Sequence, residues 1–247
     1  MSFHLLLNGA KGRMGQAILA HAKAAGKFDI TEIDAGDDPT AGMAACDVVI
    51  DFSFHEATAA LVDLAAEAGK PVVIGTTGHS AEERRRILAA SRRIPMVWSG
   101  NYSVGVNLLF HLVRRTAAVL PAEYHPEVVE MHHHLKRDAP SGTAERLVEV
   151  IREERELTPE QVRHGRSGIT GMRPDAEIGV HALRGGDVVG DHWVIFAGPG
   201  ERIELTHRAA DRGIFAQGAL RAATWVIGRP PGHYLMEDVL GLRGRPS

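Results

Sequence analysis

The sequence predicts an α/β fold in which a largely parallel sheet, covered by helices on both faces, is interrupted by an inserted α+β domain. Three observations carry this. Up to Ser99 the chain alternates short, wholly apolar runs with stretches of helical periodicity, the pattern of strands buried on both faces. From Glu127 onward strand patterns dominate and alternate, with one clear helix among them, as in an α+β domain. The length, 247 residues, suffices for one large α/β domain or two modest ones with real cores.

The elements follow in order. His4-Leu5-Leu6-Leu7 reads as a buried strand, and Gly12 to Ala25 as a helix with Met14, Ile18 and Ala22 on one face. Ile30 to Asp34 and Cys46 to Phe52 are the next strands. Glu56 to Ala68 is a helix ended by Gly69, and Pro71 to Ile74 a strand. Ser80 with Glu83 forms a capping-box pattern opening a helix through Arg93. Pro95 to Ser99 is a short strand and Val104 to Leu120 a long helix. Strands are then expected at Glu127–His133, Ile178–Arg184, Val188–Ala197 and Arg202–Arg208, with a helix from about Thr143 to Arg155. Residues 164–177, rich in Gly, Arg and Pro, read as a long loop. The last helix, Gly213 to Ile227, belongs back on the first domain. The expected division is therefore residues 1–103 with 217–247 as a nucleotide-binding domain, and 104–216 as a substrate-binding and oligomerisation domain.

Bulk properties narrow the class. Hydrophobic residues make up 44% and charged residues 24%, and the net charge is −3, so there is no basic field for a nucleic-acid partner. The one cysteine, Cys46, excludes an internal disulfide and suits a reducing compartment. No apolar run approaches a membrane span of about 20 residues. The segment ahead of Gly9 is too short for a signal peptide, so a cytoplasmic location is expected.

Gly9-Ala10-Lys11-Gly12-Arg13-Met14-Gly15 lies between the first strand and the first helix, with GxxGxxG spacing. Gly9 permits a tight turn, Gly12 lets the backbone approach a pyrophosphate, and Gly15 lets helix and strand pack closely. The helix N-terminus then offers unpaired N–H groups to phosphate. Asp34 ends the second strand, 19 residues after Gly15, where a carboxylate can accept from the ribose hydroxyls of NAD. Together these predict a Rossmann-type nucleotide-binding domain. Asp37 and Asp38 disfavour a 2′-phosphate, whereas Lys11 and Arg13 favour one; the balance leans to NADH over NADPH. Gly75-Thr76-Thr77-Gly78 follows a strand and suits either a nicotinamide-ribose contact or an ordinary βα turn. Asn101-Tyr102-Ser103 either borders the nicotinamide or hinges the domains.

The second cluster is His132-His133-His134 with Lys136, followed by Ser141-Gly142-Thr143 at a helix start. Pleating places His132 and His134 on one strand face and His133 on the other, a poor set of metal ligands, and no HExxH is present; no metal is expected. Reduction of a C=N or conjugated C=C bond needs a hydride on one atom and a proton on the other, and histidine or a protonated lysine supplies the proton. The N–H groups and hydroxyls of Ser141, Gly142 and Thr143 can hold a carboxylate. A solvated polar loop is the bland alternative.

The run from Glu130 to Ala144 resembles the signature E-x-H-H-x-x-K-x-D-A-P-S-G-T-A of dihydrodipicolinate reductases. The loop from Gly9 to Gly15, the Gly75–Gly78 turn, the segment Asn101 to Asn107 and the stretch Arg184 to His192 are similar to that family's further motifs, in the same order. The resemblance covers residues 5–240 approximately. It implies two domains, a homotetramer whose core is built by the second domain's sheets, and hydride transfer from NADH or NADPH to 4-hydroxy-tetrahydrodipicolinate or its dehydrated form, in diaminopimelate and lysine synthesis. It places His132 at the proton donor/acceptor and Lys136 at the second proton donor. His133, Gly142 and Thr143 fall on substrate contacts. Gly9, Ala10, Lys11, Gly12, Arg13, Met14, Asp34, Gly75, Thr76, Thr77, Ser99, Gly100, Asn101 and Tyr102 fall on cofactor contacts. Closure of one domain on the other is expected, because donor and acceptor are held on different domains. Ala35 stands where many members carry an arginine, which supports NADH. The segment between Asp34 and Cys46 is short, and Trp193 follows His192 where smaller residues are common. Two other readings are a reductase of another cyclic imine dicarboxylate, and a nicotinamide sensor without turnover.

Overall fold

The computed structural model describes residues 2–243. Its strands are β1 (Phe3–Asn8), β2 (Phe28–Ile33), β3 (Val48–Asp51), β4 (Val72–Ile74), β5 (Pro95–Trp98), β6 (His125–His132), β7 (Val162–His164), β8 (Ile178–Arg184), β9 (Gly190–Gly198), β10 (Glu201–Ala209) and β11 (Gly232–Tyr234). The helices are α1 (Arg13–Ala25), α2 (Thr40–Ala45), α3 (His55–Glu67), α4 (Ala81–Ala90), α5 (Val104–Val119), α6 (Gly142–Arg155), α7 (Gly213–Val226) and α8 (Met236–Val239). Two units result: one runs to Val104 and resumes at Arg212, the other spans Gly105–Asp211.

In the first unit six parallel strands lie in the order β11-β5-β4-β3-β1-β2. The strands are apolar throughout because both faces are covered, and alternate side chains enter opposite cores. Leu5, Leu7, Val48 and Ile50 pack with Ile18 of α1 and with Ala216, Ala219 and Ala223 of α7. Leu6, Val49, Val72 and Ile74 pack with Val62 of α3 and Ile87 of α4. The sheet grows outward from β1 in both directions, to β2 on one side and β3 on the other. The carboxyl ends of β1 and β3 therefore flank a switch point, where open α/β sheets leave a crevice. The chain returns at Arg212 rather than at the expected 217, because the whole of α7, including Gly213 and Ala216, packs in the first core.

In the second unit the sheet order is β10-β9-β6-β8-β7, with β6 parallel to β8 and antiparallel to β9. One face is packed by α5 and α6: Val128, Val194 and Phe196 meet Val113, Leu147 and Ile151. The other face carries Val129 opposite Trp193 and Met131 opposite Leu183, with Leu183 exposed. Strand β6 ends at His132, one residue before the predicted limit. There Gly185 N–H donates to His132 O and His133 N–H donates to Val188 O, so the chain leaves the ladder and the predicted alternation stops.

Four short elements were not predicted: α2, β7, β11 and α8. Each spans six residues or fewer, too short for a periodic signal. Among the described residues no helix is long and apolar enough to cross a membrane.

Candidate active site

The first unit's crevice is built by four loops that leave the sheet after β1, β2, β3 and β4. After β1, Gly9 adopts φ 81°, and a Cβ there would lie 2.3 Å from Phe52 O. A Cβ at Gly15 would lie 2.3 Å from Gly9 O, so α1 starts against its own loop only because that residue lacks a side chain. The N-cap of α1 is Gly12, which supplies no side-chain acceptor, and the first turn holds no acid. The leading N–H groups are thus left for an external anion. Asp34 sits just beyond β2. Its Oδ2 accepts from Lys11 N–H at 2.8 Å and its Oδ1 from Ala35 N–H at 2.8 Å. These backbone donors, Lys11 first, hold its carboxyl below the ordinary range, so it remains an anion aimed by the loop.

A cavity of about 440 Å³ is lined by Asn8, Gly9, Gly12, Asp34, Asp37 and Leu61, among others. A second, of about 530 Å³, is lined by Gly12, Arg13, Met14, Gly75, Thr76 and Thr77. Both share Gly12, Phe52, Ser53 and Phe54. An uncapped helix start beside an arginine, a fixed carboxylate on one side and small hydroxyl residues on the other fit a dinucleotide: pyrophosphate at Gly12–Met14, one ribose at Asp34, the second at Thr76–Thr77.

The remaining predicted cofactor residues are placed differently. Lys11 is exposed and contributes its N–H to Asp34. Ala10 is 2% exposed and lies in the core, so only its backbone faces the loop. Ser99 Oγ donates to Asn101 O at 2.8 Å and accepts from Asn101 N–H, closing a tight turn around Gly100. Tyr102 is 1% exposed, and its hydroxyl donates to Ile74 O and Val97 O. Its ring belongs to the core, where it fixes the Ser99–Asn101 turn and packs on Phe52 at 5.6 Å between centroids. Ser53, Phe52 and Phe54 were not singled out from the sequence, although they follow β3 at the switch point.

In the second unit the histidine cluster is organised by Glu130, a fully buried carboxylate two residues before His132 on the same face of β6. Glu130 Oε2 meets His132 Nδ1 at 2.5 Å. Arg184, opposite His132 in the register with β8, grips the same carboxylate with both terminal nitrogens, at 2.8 and 2.9 Å. Ser141 N–H donates to Glu130 Oε1 at 3.2 Å. Burial alone would raise the Glu130 carboxyl, but Arg184 and then His132 outweigh it and hold it below the ordinary range. Glu130 is therefore a carboxylate that fixes the ring of His132 and leaves Nε2 as its outward nitrogen. A Cβ at Gly190 would stand 2.9 Å from that Nε2, so the glycine keeps the nitrogen uncovered.

His192 packs edge-on against His132, with centroids 5.3 Å apart, and its Nε2 lies 3.2 Å from Ser141 Oγ. Burial first, then the neighbouring His132, push its pKa down to about 4, so it is a neutral partner near pH 7. Ser141 is the N-cap of α6 and accepts from Ala144 N–H at 3.3 Å. Gly142 follows with open space where a Cβ would stand. Lys136 Nζ donates to the exposed Asp138 at 2.7 Å, and Lys136 N–H bonds His133 O. His134 turns away, with Nδ1 2.9 Å from Gly186 O. Strand end, turn and helix start thus bring His132, Ser141 and the backbone of Gly142 and Thr143 into one substructure, with Lys136 on the turn between. Glu130, Arg184 and His192 complete it. Their roles had not been assigned, although the period-2 spacing of Glu130 and His132 was a usable sign. Among the described residues no three His, Cys, Asp or Glu side chains form a metal-binding group.

Residues 3–102 match the family description "Dihydrodipicolinate reductase, N-terminus", and residues 105–240 match "Dihydrodipicolinate reductase, C-terminus". A 4-hydroxy-tetrahydrodipicolinate reductase of Akkermansia muciniphila is 51% identical over 240 residues, covering 96% of this chain and 98% of that one. One from Caulobacter vibrioides is 48% identical, with 97% of each chain covered. The dipicolinate-bound dihydrodipicolinate reductase of Paenisporosarcina sp. TG-14 shares the fold, with a TM-score of 0.77 at 22% identity, covering 95% of this chain and 98% of that chain. With both halves matched and relatives near half identity along the whole length, the chain belongs to the dihydrodipicolinate reductase family.

Proposed function

We propose that the chain is an NADH-preferring 4-hydroxy-tetrahydrodipicolinate reductase that delivers a hydride and a proton to a cyclic dicarboxylate, giving tetrahydrodipicolinate. The observation that carries the reading is the Glu130–His132 pair beside the N-terminus of α6: an aimed proton-handling ring next to backbone donors for a carboxylate. A bound nicotinamide cofactor supplies the hydride. The chain's own residues do the rest. The N–H groups of Gly142 and Thr143 at the start of α6 hold one carboxylate, and His133 helps to orient the ring. Glu130 and Arg184 lock His132 so that Nε2 faces the reacting ring, and Lys136, released from Asp138, is the second proton source. In the first unit Gly9–Met14, Asp34, Gly75–Thr77 and Ser99–Tyr102 hold the cofactor, the last through the turn that Tyr102 supports.

The preference for NADH rests on two carboxylates at one cavity wall, Asp34 and Asp37, with Ala35 between them. A 2′-phosphate there would meet like charge without an arginine to bind it. A homotetramer is supported by the uncovered sheet face bearing Val129, Met131, Leu183 and Trp193, with Arg208 over the Trp193 ring. Biosynthetic chemistry of this kind and the lone buried Cys46 fit the cytoplasm.

The test is optical: oxidation of NADH and of NADPH, with substrate generated in place from pyruvate and aspartate semialdehyde by the condensing synthase. Oxidation that needs both proteins, faster with NADH, is the expected result. Binding of NADH without oxidation would point to a sensor instead.

A further inference from the structure

Asp51, the last residue of β3, is fully buried, and its carboxylate collects donors from four segments. Asn8 Nδ2 at 2.8 Å and Ser53 Oγ at 2.6 Å donate to Oδ1. Thr58 Oγ1 at 2.7 Å and Thr76 Oγ1 at 2.8 Å donate to Oδ2. Thr76 Oγ1 in turn accepts the Ser53 N–H at 2.9 Å, and Asn8 Nδ2 also reaches Ser53 Oγ at 3.0 Å. Among the described residues no lysine or arginine forms an ion pair with Asp51. Asn8 at the end of β1, Ser53 after β3 and Thr76 after β4 all line the crevice, so the carboxylate stands one residue behind its lining.

A buried charge without a counter-ion is costly, and hydrogen bonds offset only part of that cost. An asparagine could complete the same network without the charge. Its oxygen would accept from Asn8 and Ser53, and its amide would donate to Thr58 and Thr76. Those hydroxyls already have carbonyls to turn to, Phe54 O at 3.4 Å and Asp51 O at 3.4 Å. The hydrogen-bond pattern alone therefore does not require an acid. The charge has a use in the chemistry proposed above. A nicotinamide ring is neutral when reduced and positive when oxidised, and positive charge develops on it as hydride leaves. A fixed anion in a water-poor wall stabilises that charge more than water would.

We propose that Asp51 is a positioning residue of the cofactor crevice whose buried negative charge, tied to Asn8, Ser53 and Thr76 of its wall, favours the oxidised nicotinamide over the reduced one. This rests on the cofactor reading above. Equilibrium titration of the full chain, with NADH by fluorescence and NAD⁺ by displacement, reads it without turnover. In Asp51→Asn, NADH affinity is expected within about threefold of the unsubstituted protein, while NAD⁺ weakens about tenfold. The pair Asn8→Asp with Asp51→Asn keeps one anion in the network and is expected to restore the ratio; it also carries the test if the single variant does not fold. An unchanged NAD⁺/NADH ratio in Asp51→Asn, equal weakening of both, or a tenfold shift in the folded pair would overturn the proposal. If the unsubstituted chain binds neither nucleotide, the cofactor reading fails and this inference with it.

Discussion

In the proposed reaction three side chains divide the chemistry, and each has its own measurable loss. Lys136 lies on the turn between His132 and α6, and its partner, Asp138, is exposed and easily exchanged. Lys136→Ala is expected to lower kcat about 10²- to 10³-fold, the scale of a lost proton donor, with NADH affinity unchanged. Thr143→Ala is expected mainly to raise KM for the dicarboxylate, because it removes the hydroxyl that would bind the carboxylate beside the α6 N–H groups and leaves the proton donors in place. Glu130 acts through His132. Glu130→Gln leaves an amide that cannot accept both nitrogens of Arg184 and the imidazole together, so kcat is expected to fall while the pH profile shifts; a loss of stability without a change in profile would contradict that role. On the cofactor side, Ala35→Arg is expected to raise NADPH affinity relative to NADH in a paired titration.

The elements explain why some of this was readable and some not. The Gly9–Gly15 loop, the strand carrying His132 and the helix opened by Ser141 have strong local signals: glycine spacing, a strand-like alternation, an N-cap. What periodicity cannot show is which strand lies beside which. Arg184 reaches Glu130 only because β8 pairs with β6, and Ser141 meets His192 only because β9 does, contacts spanning 54 and 51 residues. The same holds for Tyr102: the sequence leaves open a place beside the nicotinamide or at a hinge, and only the fold shows that its ring lies in the core. Ser141 joins helix and site, so Ser141→Ala should cost about 1 kcal/mol as a lost cap, seen as a lower melting temperature. His192 gives the fold a pH dependence. Its folded pKa, about 4, lies below its ordinary value of 6.5, so between those values the unfolded chain binds a proton that the folded one refuses. Stability is full above the upper value and falls by up to about 3 kcal/mol as pH drops toward the lower one. His192→Gln should flatten that part of the curve in denaturant titrations from pH 7 to pH 4.

For the whole molecule, the family assignment covers both units; in the proposed function one unit offers a crevice for a nucleotide, and the other an aimed imidazole and a helix start. The uncovered face of the second sheet bears on assembly. Trp193→Glu places a charge in the middle of it, and light scattering is expected to report a smaller species than for the unsubstituted chain. The proposed reaction is hydride transfer to a cyclic dicarboxylate. It is tested most directly by supplying NADH deuterated at the transferable position, generating the substrate in place, and weighing the product. The expected product is tetrahydrodipicolinate one mass unit heavier, formed only when this chain is present. A chain that binds the labelled nucleotide and yields no deuterated product would contradict it.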